Sequence, residues 1–347
     1  MGLRNSFHAA LFNLNTLLFC LSLFLFSASA GQSEQPGQVP SVPLVIQGAT
    51  LIDGTDRAPI KDSMIVLSKG KIVGVGKQGQ IAIPRDAQVI NAPGKWVVPG
   101  LIDAHVHFFQ SAGLFTRPDV IDLRTRRSYS DEIAWIQRRI PYTFSRYICS
   151  GVTSVVDLGG PLWTVALKQR SSEAISPRIT ASGPLLATYI PKELQTSESP
   201  MVELGNPEKA REGVRDILRQ GADLIKIWFI QTGDPLAQMP SIRAVIAEAH
   251  AKGARVVVHA TELALARLSV EAGADILAHS VSDELVDTSF LQLLKERNVI
   301  YIPTLMVNER YREVLGEKPP KLNSIEKLCG DPEIIATWAE PHSNLNR

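Results

Sequence analysis

Two histidines stand two residues apart at the end of an apolar run, Val98-Pro99-Gly100-Leu101-Ile102-Asp103-Ala104-His105-Val106-His107. Side chains alternate across a strand, so His105 and His107 project to one side and can grip one metal ion together. His259 and His279 close two further apolar runs, Val256-Val257-Val258 and Ile276-Leu277-Ala278, and Lys226 lies within a fourth, Leu224-Ile225-Lys226-Ile227-Trp228. A lysine inside an apolar strand is costly unless it is paired, modified or coordinating. Taken singly, His259 or His279 reads as a core histidine bonded to a neighbour, and Lys226 as an interior salt bridge. Their joint occurrence at strand ends of one array points instead to metal chemistry. His250, in a helix ending at Gly253, together with His8 and His342, carries no catalytic assignment.

The elements that must position these groups repeat a local grammar. Arg-Gln-Gly221-Ala-Asp, Ala-Lys-Gly253-Ala-Arg and Glu-Ala-Gly273-Ala-Asp each read as a helix end with glycine at the left-handed cap, followed by a strand. Lys226 falls five residues after its glycine, and His259 and His279 six after theirs. In an α/β barrel the C-terminal strand ends are where active-site groups converge. Strands are predicted near 97–107, 152–157, 178–182, 223–228, 255–260, 276–280 and 299–304, alternating with helix-like segments, the pattern of a parallel α/β sheet or barrel. Before them, residues 44–96 carry short β-type runs broken by glycines and Pro93, which predicts a small N-terminal β-domain, sandwich-like in character.

The chain has 347 residues, 45% hydrophobic and 20% charged, enough for a large core and one big domain with an accessory one. Its formal net charge is +1, with no Lys/Arg cluster interleaved with aromatics, which speaks against a nucleic-acid partner. Arg4, an apolar stretch over 17–26 and Ala28-Ser29-Ala30 form a signal-peptide pattern, so residues 1–30 are expected to be removed on export to the periplasm or medium. The apolar part is shorter than the roughly 20 residues that span a bilayer, so no stable membrane anchor is expected. Removing it takes away Arg4 and no acid, which leaves a formally neutral chain. Residues 31–43, rich in Gln, Pro, Gly and Ser, read as a flexible lead-in. Cys20 leaves with the export segment; Cys149 and Cys329 are free to pair in an oxidising compartment, though nothing in the sequence requires it.

From residue 44 onward the chain resembles the amidohydrolase superfamily of metal-dependent hydrolases, in its imidazolonepropionase-like and prolidase-like branch. The motifs that carry the resemblance are Pro99-Gly100-Leu101-Ile102-Asp103-Ala104-His105-Val106-His107, then Gly221-Ala222-Asp223-Leu224-Ile225-Lys226-Ile227, Val258-His259-Ala260 and Ala278-His279-Ser280, in that order. The resemblance implies a TIM-type (β/α)8 barrel over 97–347 carrying two divalent metal ions, zinc by donor type. His105 and His107 would bind the more buried ion and His259 and His279 the other, with Lys226, carboxylated by carbon dioxide, as the bridge. Neutral imidazole suits zinc, and a carbamate gives lysine the anionic oxygens that an ammonium lacks. The implied reaction is attack of a metal-activated hydroxide on a carbonyl carbon, hydrolysing the C–N bond of a small amide, cyclic amide or dipeptide.

The sequence departs from the family at its end. The family's eighth-strand aspartate, which shuttles the proton, has no counterpart before Arg347, so the barrel is expected to stop at strand seven, with a helix over 326–340 after it, and the sequence to be a C-terminally incomplete one. Asp157, Asp223 and Asp275 stand on the wrong strands or at the wrong ends to replace it. Two other readings stay open. His259-Ala260-Thr261-Glu262 fits a single-metal deaminase or imidazolonepropionase-like site with Glu262 as acid/base, although Glu262 also suits the acidic first turn of a helix. A chain without the aspartate also fits a non-catalytic binding protein that keeps the fold. Thr188-Tyr189 and 304–308 follow strands three and seven and are placed to line the pocket, with Tyr189 the substrate-contact candidate. A homo-oligomer is left open.

Overall fold

The structure is a computed structural model that describes residues 42–173, 175–315 and 320–338. The export segment over 1–30 and all but the end of the lead-in over 31–43 lie outside the described residues.

The first strands form one mixed sheet: β1 (Leu44–Leu51), β2 (Ile60–Ser68), β3 (Lys71–Lys77), β4 (Gln88–Asn91) and β5 (Trp96–Val97). β1, β2 and β3 pair antiparallel, while β4 and β5 run parallel to β1 on its other edge. The β2–β3 hairpin closes on Lys69-Gly70, both with positive φ (51° and 72°), the backbone a two-residue turn needs to match strand twist. Val45, Met64 and Val66 bury one face of the sheet beneath Ile81 and Ala87.

Two parallel sheets follow. β6 (Leu101–Val106), β7 (Val152–Asp157) and β8 (Arg178–Ala181) form one; β9 (Leu185–Ala187), β10 (Met201–Glu203), β11 (Leu224–Trp228), β12 (Arg255–His259), β13 (Ile276–Ala278) and β14 (Ile300–Ile302) form the other, in the order β10-β9-β11-β12-β13-β14. All seven predicted strands are present, as β6, β7, β8 and β11 to β14. β9 and β10 are additions; at three residues each they leave no periodicity to read. The sheets meet where Asp223 N–H donates to Ala181 O (2.8 Å) and the Asp223 carboxylate accepts Ala181 N–H (2.9 Å). Asp275 repeats the device one strand pair along, accepting Val256 N–H at 2.7 Å. The aspartates of the Gly-Ala-Asp motifs thus sit at the N-terminal ends of their strands and clip neighbouring strands together.

The helices are α1 (Tyr129–Arg138), α2 (Ile140–Cys149), α3 (Leu162–Ala166), α4 (Pro207–Arg219), α5 (Met239–Ala251), α6 (Leu263–Ala272), α7 (Thr288–Glu296), α8 (Leu305–Leu315), α9 (Ser324–Cys329) and α10 (Pro332–Thr337). None of the described helices is long and apolar enough to cross a membrane. α4 illustrates how sequence sets them. Asn206 caps its first N–H groups, Pro207 opens it, Ala210, Val214 and Ile217 bury one face, and Gly221 follows its end at φ +94°. α4 to α7 pack their apolar faces on β11 to β13 in the main core.

The stretch after β14 corrects one expectation. In place of a single helix over 326–340, a helix begins at once (α8), and 324–337 forms two short helices broken at Gly330-Asp331. The break has a local cause: Asn323 and Glu326 make a capping box for α9, and Asp331 caps α10, which opens on Pro332. These helices are tied back to α2 by a Cys149–Cys329 disulfide and by Arg139, which meets the buried Asp331 carboxylate at 2.7 Å. The disulfide closes a separation of 180 residues, so its main effect is to restrict the unfolded chain. Replacing both cysteines with alanine is expected to lower unfolding free energy by about 2–4 kcal/mol in urea titrations of the oxidised protein. An unchanged urea midpoint would show that the crosslink contributes nothing.

Candidate metal centre

β6 delivers His105 from its last turn of pleat and His107 just beyond its end, while Val106 between them turns to the other face and is buried. Their Nε2 atoms lie 3.2 Å apart. Two nitrogens each about 2.0–2.1 Å from one ion stand at about that separation. His107 Nδ1 donates to Gly159 O at 2.8 Å, because a carbonyl can only accept, so its Nε2 carries a free lone pair.

His259 ends β12, and His279 follows β13, with its ring 4.3 Å from that of His259 and 4.6 Å from that of His105, centroid to centroid. His279 adopts a left-handed backbone (φ 76°), as does the β-branched Thr304 (φ 41°), whose Oγ1 lies 3.1 Å from His279 Nδ1. Such conformations cost energy and persist where surrounding structure enforces them. Here His279 N–H is held by Ile302 O at 2.9 Å. Lys226, in the middle of β11 and 1% exposed, faces the same point.

The electrostatics follow from burial. Desolvation holds all four imidazoles neutral, with His107 lowered to about 4, His279 to about 3, and His105 and His259 far below their ordinary range. Burial alone brings Lys226 down to about 7. Lys226 Nζ and His105 Nδ1 are buried without a hydrogen-bond partner among the described residues. Neutral lone pairs gathered around a partnerless amine fit a cation. Among the described residues no three His, Cys, Asp or Glu side chains are arranged to hold one ion by themselves.

A cavity of about 730 Å³ opens onto the centre, with His107, Lys226, His259 and His279 in its wall beside apolar groups such as Phe109 and Trp228. Tyr189 is not part of that wall; its side chain is 48% exposed, and its neighbour Thr188 is occupied with both backbone groups of Ile230. After β14, Val307 reaches the cavity. Glu262 is half-buried and outside the lining. It stands at the N-cap of α6 rather than in its first turn, with no capping bond of its own, and Asp283 takes the Leu263 N–H instead. Sequence reasoning missed the turn Asp157-Leu158-Gly159-Gly160, which supplies the His107 partner; two glycines directly after a strand were the available signal.

Residues 96–325 match the model of the amidohydrolase family. The chain belongs to that family. Amidohydrolases as a family work with divalent metals. This amidohydrolase is 30% identical to an uncharacterised Mycobacterium tuberculosis protein over 225 residues, which is 63% of this chain and 53% of that one, so it spans about half of that relative's length. It is 30% identical to an imidazolonepropionase of Colwellia psychrerythraea over 92 residues, 25% of this chain and 21% of the relative. Among solved structures it resembles a candidate prolidase from Bifidobacterium longum, with TM-score 0.61, 25% identity, and coverage of 87% of this chain and 69% of that one. A prolidase solved with N-methylphosphonate-L-proline shares the fold at TM-score 0.63 and 24% identity, covering 87% of this chain and 73% of that one.

The burial has a pH signature. Unfolded, the imidazoles titrate near 6.5, whereas folded they stay neutral to about 4 (His107) and about 3 (His279). Between those limits the unfolded chain binds more protons, so stability falls as pH falls. Asp157, raised by burial to about 7, and Asp103, also raised by burial, act in the opposite sense, since their folded forms hold protons that the unfolded ones release; they are two groups against four. The metal-free protein is therefore expected to unfold at lower urea concentration at pH 5 than at pH 7.5. A midpoint that rises on acidification would contradict the burial of neutral imidazoles.

Proposed function

We propose that this amidohydrolase hydrolyses a C–N bond in a small amide, cyclic amide or dipeptide at a centre of two divalent metal ions, with zinc the ion best matched to its donors. The observation that carries the reading is the convergence of His105, His107, His259 and His279 on the buried, partnerless Lys226 amine. The prolidase-type and imidazolonepropionase relatives favour the same bond class. His105 and His107 would hold one ion and His259 and His279 the other, with Lys226 between them.

Divalent ions bound there would supply Lewis-acid polarisation of a carbonyl and a water of lowered pKa. The chain's own residues prepare the site. Gly159 O fixes the His107 tautomer and leaves Nε2 free, and the Thr304 hydroxyl orients the His279 ring through Nδ1. Burial keeps a large share of Lys226 as neutral amine near pH 7, the form that attacks carbon dioxide. That step forms an N–C bond as one C=O bond of carbon dioxide opens, releases one proton, and turns the neutral amine into an anionic, oxygen-bearing side chain. The apolar cavity wall excludes water and accepts apolar substituents beside the reacting bond.

The architecture proposed with this function is a (β/α)8-type barrel over 97–347, whose strands one to seven are β6, β7, β8 and β11 to β14, preceded by the β-domain of 44–96. The Ala181–Asp223 junction supports it, because it sets strand three beside strand four. Export to the periplasm or medium belongs to the same reading, supported by Arg4, the apolar run and Ala28-Ser29-Ala30.

Lys226→Ala is expected to lower bound metal from two ions per chain toward one and to reduce turnover of a dipeptide or N-acyl amino acid panel by at least about 100-fold, a catalytic group's contribution. Metal content by mass spectrometry equal to that of the unaltered protein would overturn the bridging role.

A further inference from the structure

The turn after β7 reads Asp157-Leu158-Gly159-Gly160. Asp157 is 0% exposed, a carboxyl placed where desolvation penalises it, at the end of a strand that pairs with β6 through Val106. Its Oδ1 accepts Gly159 N–H at 3.3 Å, and the Phe108 N–H also faces the carboxyl. The carbonyl of the same Gly159 accepts the His107 imidazole N–H at 2.8 Å. Gly159 is therefore held on both sides, its N–H by the carboxyl and its C=O by the imidazole. These groups belong to the two peptides that meet at the Gly159 Cα, so the carboxyl anchors the N-terminal side of the residue whose carbonyl meets His107.

Only glycine fits that position. At φ +147° a side chain is strained, and a Cβ there would stand 2.6 Å from Leu185 Cδ1. The Thr164 hydroxyl, also fully buried, stands beside the carboxyl and favours its charged form, while desolvation remains the larger effect. What the carboxyl adds is a hold on the Leu158–Gly159 peptide, next to the Gly159–Gly160 peptide whose carbonyl meets the candidate metal ligand and whose Gly160 N–H donates to Gly183 O at 3.2 Å.

We propose that Asp157 is a positioning residue for the metal centre, acting through Gly159 to hold His107 with its proton on Nδ1 and its Nε2 lone pair toward the ion. This rests on the metal-centre reading given above. The role differs from that of the strand-end clips Asp223 and Asp275, whose bonds join strands and reach no candidate ligand.

The test compares Asp157→Leu, close in size but without an acceptor, with Asp157→Asn, which keeps an oxygen for Gly159 N–H and stays polar beside Thr164. Affinity for Zn²⁺ is read by chelator competition on the full chain. D157L is expected to weaken binding about 10- to 100-fold, the usual cost of removing a group that orients a metal ligand, while D157N stays within about threefold of the unaltered protein. Equal affinity in D157L, or as large a loss in D157N as in D157L, would overturn the proposal. An unaltered protein that binds no Zn²⁺ would instead overturn the metal-centre reading itself. Imidazole ¹⁵N–¹H correlation spectra of the Zn²⁺-loaded unaltered protein decide the matter even if D157L does not fold: His107 is expected to carry its proton on Nδ1, and a deprotonated Nδ1 would overturn the proposal.

Discussion

The structure depends on one costly arrangement: four imidazoles and an amine are taken out of water and turned toward one another. Desolvation disfavours their charged forms, so each imidazole is neutral with one N–H and one lone pair, and Lys226 comes down to about 7. Nothing in such a cluster stabilises the fold by itself. It persists because strands on every side are fixed by interactions that do, and a bound cation would reverse the balance by giving each lone pair an acceptor.

Those fixing interactions are ordinary ones, placed where they count. The parallel strands that carry the candidate ligands are short, three to six residues, and their side-by-side alignment is reinforced by aspartate carboxylates that accept backbone N–H groups from the neighbouring strand. At the other ends of the strands the bonds are of a different kind. There the Gly159 carbonyl and the Thr304 hydroxyl meet imidazole Nδ1 atoms, and the backbone accepts unusual torsions at His279 and Thr304 to let them do so. Clips at the N-terminal ends set alignment, and bonds at the C-terminal ends orient the imidazole rings, with the Gly159 carbonyl also setting the His107 tautomer. The same division places regular structure at one end of the sheet and strain at the other.

Much of this was legible in the sequence. The seven predicted strands stood out because each is an apolar run, several of them launched by a Gly-Ala step, and the five candidate ligands that the structure brings together were picked out by their place on those runs. Less legible were features fixed by partners remote in sequence. β9 and β10 are too short to carry a period, and the Cys149–Cys329 bond joins residues that nothing local brings together. Asp157 was read only as a carboxylate on the wrong strand, because its use lies in a turn that meets His107 some fifty residues away. Other signals were present and passed over: Asn323 with Glu326, and Asp331 before Pro332, are helix starts in plain view, and they break the single helix expected there.

The central claim is that the lone pairs of His105 and His107 converge on one ion, with Lys226, His259 and His279 completing the centre. An anomalous difference map at the zinc edge, from crystals of the full chain grown with zinc, tests it most directly. A peak about 2.0–2.1 Å from the Nε2 atoms of both His105 and His107 is the expected result. Well-ordered histidines with no peak between them, or zinc bound only elsewhere on the chain, would contradict the account.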